Sequence, residues 1–350
     1  MEHIIDAERL ARAKRAFTTR RVPGSDMRIV IAEPRRPSAG DLVLARVETI
    51  GHHRGLERPD GRKAHMYPGD EIVVCYGSRY APHQFEAEIP DDLGPCDLVA
   101  AGGIAARVLS HHDRVKEPTR IVPVGVIGDR TGRPLNVASY ALPPRVLDRP
   151  IPVIAVVGTS MNSGKTTTAA ALVRGLTSQG YRVAGIKITG TGAGPDVWSM
   201  TDAGAQVVLD FTDAGYPSTY LAETDGIVRG ALNLLAHAAD AGCSVAVMEI
   251  ADGLHQQETA AVLRSAALRS VIGGVLFACG AAMGAAAGQA WLEQAGHHVL
   301  GLSGRLCASP LAVREATAAT GLPCFQPGDL WDGAVAASLL QAGDGQRAVV

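Results

Sequence analysis

Aromatic side chains are scarce in this chain, at 4% of 350 residues, so its core must be built mainly from aliphatic ones. Charge is scarce as well: charged residues make up 19% and the formal net charge is −2. Such a balance gives no global field to draw in nucleic acid or a membrane surface, and neither is expected as a partner. The one conspicuous basic cluster runs from Arg9 to Arg21. No C-x-x-C pair joins the six cysteines (Cys75, Cys96, Cys243, Cys279, Cys307, Cys324), several of which lie in apolar strand-like runs, so they read as reduced buried thiols. The start, Met1-Glu2-His3-Ile4-Ile5-Asp6, lacks a basic segment followed by an apolar one, which argues against a secretory signal. Only Val271 to Gly288 approaches the uncharged length of a spanning helix, and its Gly and Ala content suits a buried strand, a turn and a helix start instead. A cytoplasmic protein is expected. Histidine pairs stand at His52-His53 and His111-His112 without i, i+4 spacing, and adjacent residues on extended backbone point to different sides, so no metal site is expected there.

What is present falls into two textures. Residues 4–17 place Ile4, Ala7, Leu10, Ala11 and Phe17 at helical spacing, with a basic opposite face that reads as a solvated or inter-subunit surface. From Met27 to about Leu142, short β-type runs alternate with turns such as Arg58-Pro59-Asp60-Gly61 and Tyr67-Pro68-Gly69-Asp70. This spacing predicts a small domain over residues 1–145 that is either a β-barrel or an open β-rich module. Pro143, Pro144 and Pro150 mark a linker. Residues 150–350 then alternate between strand and helix. Strands are expected at 152–157, 182–188, 207–211, 244–250, 271–279, 298–302 and 322–326. Helices are expected at 164–179, 197–205, 225–241, 257–268, 284–295, 309–320 and 332–342. The fold class is therefore α/β: a mostly parallel sheet covered on both faces, preceded by a smaller β-rich domain.

The first strand of that second domain leads into Gly158-Thr159-Ser160-Met161-Asn162-Ser163-Gly164-Lys165-Thr166-Thr167, and a helix follows. Strand, Gly-rich loop and helix are the context of a phosphate-binding P-loop. Loop N–H groups and the helix N-terminus would face phosphate oxygens, which makes Gly158, Met161, Asn162, Ser163, Gly164, Lys165, Thr166 and Thr167 the expected nucleotide-binding residues. Lys165 would reach the β/γ-phosphates, and the Thr166 hydroxyl would ligate Mg²⁺. The glycines lie six residues apart, where the common pattern has five. The strand Val245–Met248 ends in Glu249, a Walker-B-like carboxylate, and the Ala184–Ile186 strand ends in Lys187. Beyond Lys187, Asp202 is expected as a further Mg²⁺ ligand, with Asp196 as its alternative.

The longer loop resembles the dethiobiotin synthetase-like branch of SIMIBI-type P-loop proteins, in which a glycine, five residues and Gly-Lys-Thr follow one another. The segment around Ile186-Lys187, Pro195-Asp196 and Ala203-Gly204-Ala205 is similar to the molybdopterin-guanine dinucleotide adapter family in the same broad group. The likeness extends over roughly residues 152–330. Joined to an unrelated N-terminal domain, it is also similar to a P-loop family that includes D-glutamate N-acetyltransferases. The resemblance implies an ATP- or GTP-dependent, Mg²⁺-requiring enzyme, ligase- or kinase-like, that activates a small-molecule carboxylate, carbamate or amine. Lys165, Lys187 and Glu249 would be catalytic, with Thr166, Asp202 and Glu249 on Mg²⁺, and the loops 189–197 and 212–220 would select the substrate. It also implies a homodimer. The alternatives are a nucleotide-hydrolysing switch for a protein partner and a CoA-dependent N-acyltransferase. Leu302-Ser303-Gly304-Arg305 lies after a strand where base contacts are usual, and no Asn-Lys-x-Asp guanine reader is present, which leaves the base open.

Overall fold

The structure, a computed structural model, describes residues 2–5 and 7–347. The chain forms two compact units. One comprises Met1–Pro143 together with Thr191–Pro195 and Phe211–Leu221, and the other comprises Pro144–Gly190, Asp196–Asp210 and Ala222–Val350.

In the first unit, five strands close on themselves. Leu42–Thr49 pairs antiparallel with Glu71–Tyr76, which runs parallel to Ile104–His111. That strand pairs antiparallel with Cys96–Ala100, which pairs with Thr119–Gly128, and Thr119–Gly128 returns to Leu42–Thr49. Closure removes the unpaired edges that an open sheet would expose. Side chains alternate between the two faces of each strand. Accordingly Val43, Ala45, Ile72, Val74 and Leu98 gather in one buried cluster, while Leu42, Leu44, Val73 and Cys75 join another with Phe85.

The helix expected over 4–17 is confined to Ala7–Arg12. Ile4 pairs with Ile29 before it, and Lys14-Arg15 pairs parallel with Ile72-Val73 after it, so sheet hydrogen bonding takes both ends of the amphipathic stretch. Its basic residues are mostly paired rather than displayed. Arg9 donates to both carboxylate oxygens of Glu71, at 2.9 and 2.6 Å, and Lys14 pairs with Asp70. Arg20 and Arg21 both hold Asp213, which belongs to one of the two segments that join this unit from the later sequence. The other segment is fastened by Glu57, whose buried carboxylate accepts from the Gly194 N–H at 2.8 Å.

His52 and His53 meet edge to face at 4.9 Å, beside Phe85. Among the described residues, no group of three or more His, Cys, Asp or Glu side chains is arranged to hold a metal ion. Burial, reinforced by the nearby Arg79 cation, pushes the His53 imidazole down to about 3. An unfolded chain takes up this proton near pH 6.5, whereas the folded chain resists it until about pH 3. His53 therefore favours folding fully above pH 6.5, and its contribution falls by about 1.4 kcal/mol per pH unit as pH drops through that window. His53→Gln should flatten the acid limb of stability, as read from urea midpoints at pH 7, 6 and 5; an unchanged slope would refute the assignment.

The second unit is a six-stranded, all-parallel sheet. Its order is Val207–Asp210, Val183–Lys187, Val245–Glu249, Val153–Gly158, Gly274–Ala278, Val299–Ser303. The five strands from Val183–Lys187 onward are buried along their whole length, which is why they read as unbroken apolar runs. The uncharged run 271–288 resolves into the strand Gly274–Ala278 and the first part of the helix Ala282–Gln294. The strand expected at 322–326 is only a single bridge, Leu302 to Cys324. The helix expected at 257–268 is broken in two at Ser265, which adopts extended backbone between Gln257–Arg264 and Ala266–Arg269. All six cysteines are free thiols, five of them buried. No described helix is long and apolar enough to cross a membrane.

Candidate nucleotide site

The sheet register sets the site. In the parallel ladder Val156 stands opposite Glu249, Glu249 opposite Lys187, and Lys187 opposite Asp210, so these positions share one level near the carboxyl ends of four adjacent strands. Ligands of open α/β sheets bind just beyond those ends. The Val153–Gly158 strand runs there into the Gly-rich loop, and the helix Lys165–Ser178 leaves it.

The loop is shaped by backbone that only some residues tolerate. Gly164 has φ +109°, and a Cβ there would come within 2.8 Å of the Gly304 backbone. Asn162 adopts the left-handed region at φ +62°, which asparagine accepts better than most residues. Gly158, the early glycine that lengthens the motif, lies against the loop's far end: a Cβ there would sit 2.3 Å from Ser163 Oγ. Ser163 Oγ is buried without a hydrogen-bond partner among the described residues. Met161 is half-buried and Thr167 exposed.

Lys165 is 6% exposed, and its Nζ donates to Ser160 O at 2.8 Å, folding the side chain back over the loop. Burial lowers its pKa, Glu249 and Asp252 oppose that shift, and Lys187 adds to it. A buried ammonium held by a single loop carbonyl is poised to exchange that partner for an anion.

Thr166 is the centre of the cluster. Its Oγ1 lies 2.9 Å from Asp196 Oδ1 and 3.0 Å from Glu249 Oε1. A hydroxyl carries one proton and can donate to only one of these carboxylates at a time. Lys187 bonds the other Asp196 oxygen and stands 4.0 Å from Glu249 Oε1. Glu249 is 1% exposed, and its Oε2 is buried with no hydrogen-bond partner among the described residues. Three hard oxygen donors and an orphaned carboxylate oxygen fit a Mg²⁺ ion.

Asp202, expected on Mg²⁺, does not join this group. It is the last residue of the helix Pro195–Asp202 and is exposed, whereas Asp196 lies at the start of that helix. Six residues of helix span about 9 Å, too far for both to serve one ion. The available signal was Pro195, since proline favours the first helical position and so marks Asp196 as the residue at the helix mouth. Asp196→Asn should raise the Mg²⁺ concentration needed for half-maximal nucleotide binding about tenfold or more, and Asp202→Asn should leave it unchanged; Mg²⁺ titrations of the two variants check this, and the reverse order would restore Asp202. Lys165, Lys187 and Glu249, expected as catalytic, lie together here. His255 is exposed, and the buried Glu258 bonds the Gln256 side chain.

Residues 153–222, about one fifth of the chain, match the family MobB, molybdopterin guanine dinucleotide synthesis protein B. The matched stretch takes in the Gly-rich loop, Lys187 and Asp196 and stops short of Glu249. A search of curated proteins found no match. Solved structures similar to the chain include the signal recognition particle receptor FtsY from Elizabethkingia anophelis (19% identity, 57% of this chain, 68% of that one, TM-score 0.36). The 54 kDa signal recognition particle protein from Aeropyrum pernix K1, solved in complex with GDP, is another (18% identity, 59% and 51%, TM-score 0.36). The kinase domain of Escherichia coli tyrosine kinase ETK is a third (15% identity, 43% and 66%, TM-score 0.32). At these scores the solved structures carry no further argument about what this chain binds or does.

Proposed function

We propose that this protein is a Mg²⁺-dependent nucleoside-triphosphate enzyme that transfers a phosphoryl group to a small-molecule carboxylate, carbamate or amine. The observation that supports this reading is the arrangement of Lys187 and two carboxylates around the single hydroxyl of Thr166, with the buried Lys165 ammonium on the adjoining loop. Thr166, Asp196 and Glu249 would hold Mg²⁺, which when bound offsets charge on the phosphate oxygens. Loop N–H groups orient the triphosphate, and Lys165 releases the Ser160 carbonyl to bind it. Lys187, fixed by Asp196, neutralises charge that builds on the transferred group. Positioning and fixed charge supply most of the acceleration in such chemistry. The resemblance to dethiobiotin synthetase-like proteins further supports a homodimer, and six free thiols suit a reducing, cytoplasmic setting.

Phosphorus NMR of the protein with Mg²⁺, ATP or GTP and a panel of carboxylates and amines tests the proposal. Acceptor-dependent formation of a new phosphoryl or acyl-phosphate species is expected. If no small molecule changes the rate while a protein partner does, the enzyme is a switch. That second reading has one observation in its favour: the segment 191–195 has site residues Lys187 and Asp196 on either side of it in sequence, yet belongs to the N-terminal unit. Nucleotide-dependent movement of Lys187 or Asp196 would pull on that segment.

A further inference from the structure

A cavity of about 330 Å³ opens beside the phosphate loop, inside the P-loop unit. Gly164 and Thr167 form its loop side, and Arg305, Cys307, Gln326 and Pro327 are among its other lining residues. The size lies at the lower end of small-ligand pockets. Cys307, Ala308 and Pro327 offer apolar surface to a flat ring, and Gln326 and Arg305 are exposed; the Gln326 side chain accepts from the Asp329 backbone N–H at the start of the helix Pro327–Trp331, which leaves its amide N–H groups and one oxygen lone pair for a ligand.

The side chains present discriminate between purines. Guanine presents two adjacent donors, N1–H and N2–H₂, that a carboxylate satisfies best. No Asp or Glu lines this cavity, and the nearby Asp329 already accepts from the Gln326 backbone N–H at 2.7 Å. Adenine presents a donor beside an acceptor, which a glutamine amide matches with one acceptor and one donor. Arginine favours the guanine O6/N7 edge. Arg305, however, is rooted on the phosphate loop, where its backbone N–H donates to Ser163 O at 3.0 Å, which brings the phosphates within reach of its side chain.

The geometry points to a base pocket that selects adenine, with Gln326 as the specificity-determining residue. This rests on the reading that the loop holds a nucleotide's phosphates. Both ATP and CoA carry adenine, so the inference covers either source.

Calorimetric titration of Mg²⁺–ATP, Mg²⁺–GTP and acetyl-CoA into the intact protein is the test. ATP is expected to bind about tenfold or more tighter than GTP, the discrimination of one good two-bond base contact. Gln326→Ala should remove most of that ratio, and Gln326→Glu, which adds the missing carboxylate, should tilt it toward GTP, with circular dichroism confirming that each variant is folded. Equal or tighter binding of GTP by the wild-type protein would overturn the inference and leave the phosphate-site reading standing. Acetyl-CoA binding that Gln326→Ala abolishes, with neither triphosphate bound, would uphold the adenine pocket and sink phosphoryl transfer. Loss of neither nucleotide in Lys165→Ala would remove the phosphate site, and the base pocket with it.

Discussion

Lys165→Ala should weaken Mg²⁺–triphosphate binding by about 100-fold or more without lowering the melting temperature of the ligand-free protein. The two halves of this expectation have separate causes. A buried ammonium on phosphate is a desolvated charge contact, and truncating one side of such a pair typically costs about 2–5 kcal/mol. In the free protein the same ammonium is 6% exposed, has its pKa lowered by burial, and is held by the Ser160 carbonyl. Its charge is therefore costly to keep in the folded state, and removing it relieves that cost. Calorimetry together with thermal melts measures both. Wild-type affinity in the variant would remove the loop from the site, and a collapsed melting temperature would make Lys165 a structural residue.

Glu249→Gln should separate binding from turnover. The substitution keeps the shape of a side chain that is 1% exposed at the end of its strand, and it retains an oxygen that can accept from Thr166. It removes the negative charge that stands 4.0 Å from Lys187 and the orphaned Oε2 that fits a cation. Nucleotide affinity should stay within several-fold, because loop N–H groups and Lys165 hold the phosphates. Turnover should fall about 100- to 1,000-fold, the usual loss when one preorganised charge-stabilising group is removed. Single-turnover kinetics and calorimetry on one preparation decide it. If affinity and turnover fall by the same factor, Glu249 serves only to hold the nucleotide complex together.

The phosphate loop was legible in the sequence because its chemistry is local. Glycines, a lysine and a threonine lie within ten consecutive residues, and the flanking strand and helix carry plain apolar patterns. Lys187 and Glu249 were legible because each ends an apolar strand, and a parallel sheet gathers strand ends at one edge. The choice between Asp196 and Asp202 was legible only in part: Pro195 marks Asp196 as first-turn, but only the direction of the helix puts that turn at Thr166.

By itself the sequence determined the alternation of strand and helix after residue 150, apart from the lone bridge at Cys324 and the break at Ser265, and the residue types of the Gly-rich loop, because each depends on neighbours within a turn or a strand. Only the tertiary structure decided that the N-terminal strands close into a ring, because closure pairs residues such as Arg46 and Val122 that lie far apart in the chain. It alone assigned 191–195 and 211–221 to the N-terminal unit, through Glu57 with Gly194 and Arg20 with Asp213. Hydrogen bonds and ion pairs between residues more than a hundred positions apart leave no periodic trace in a sequence, and such bonds fix where those two loops belong.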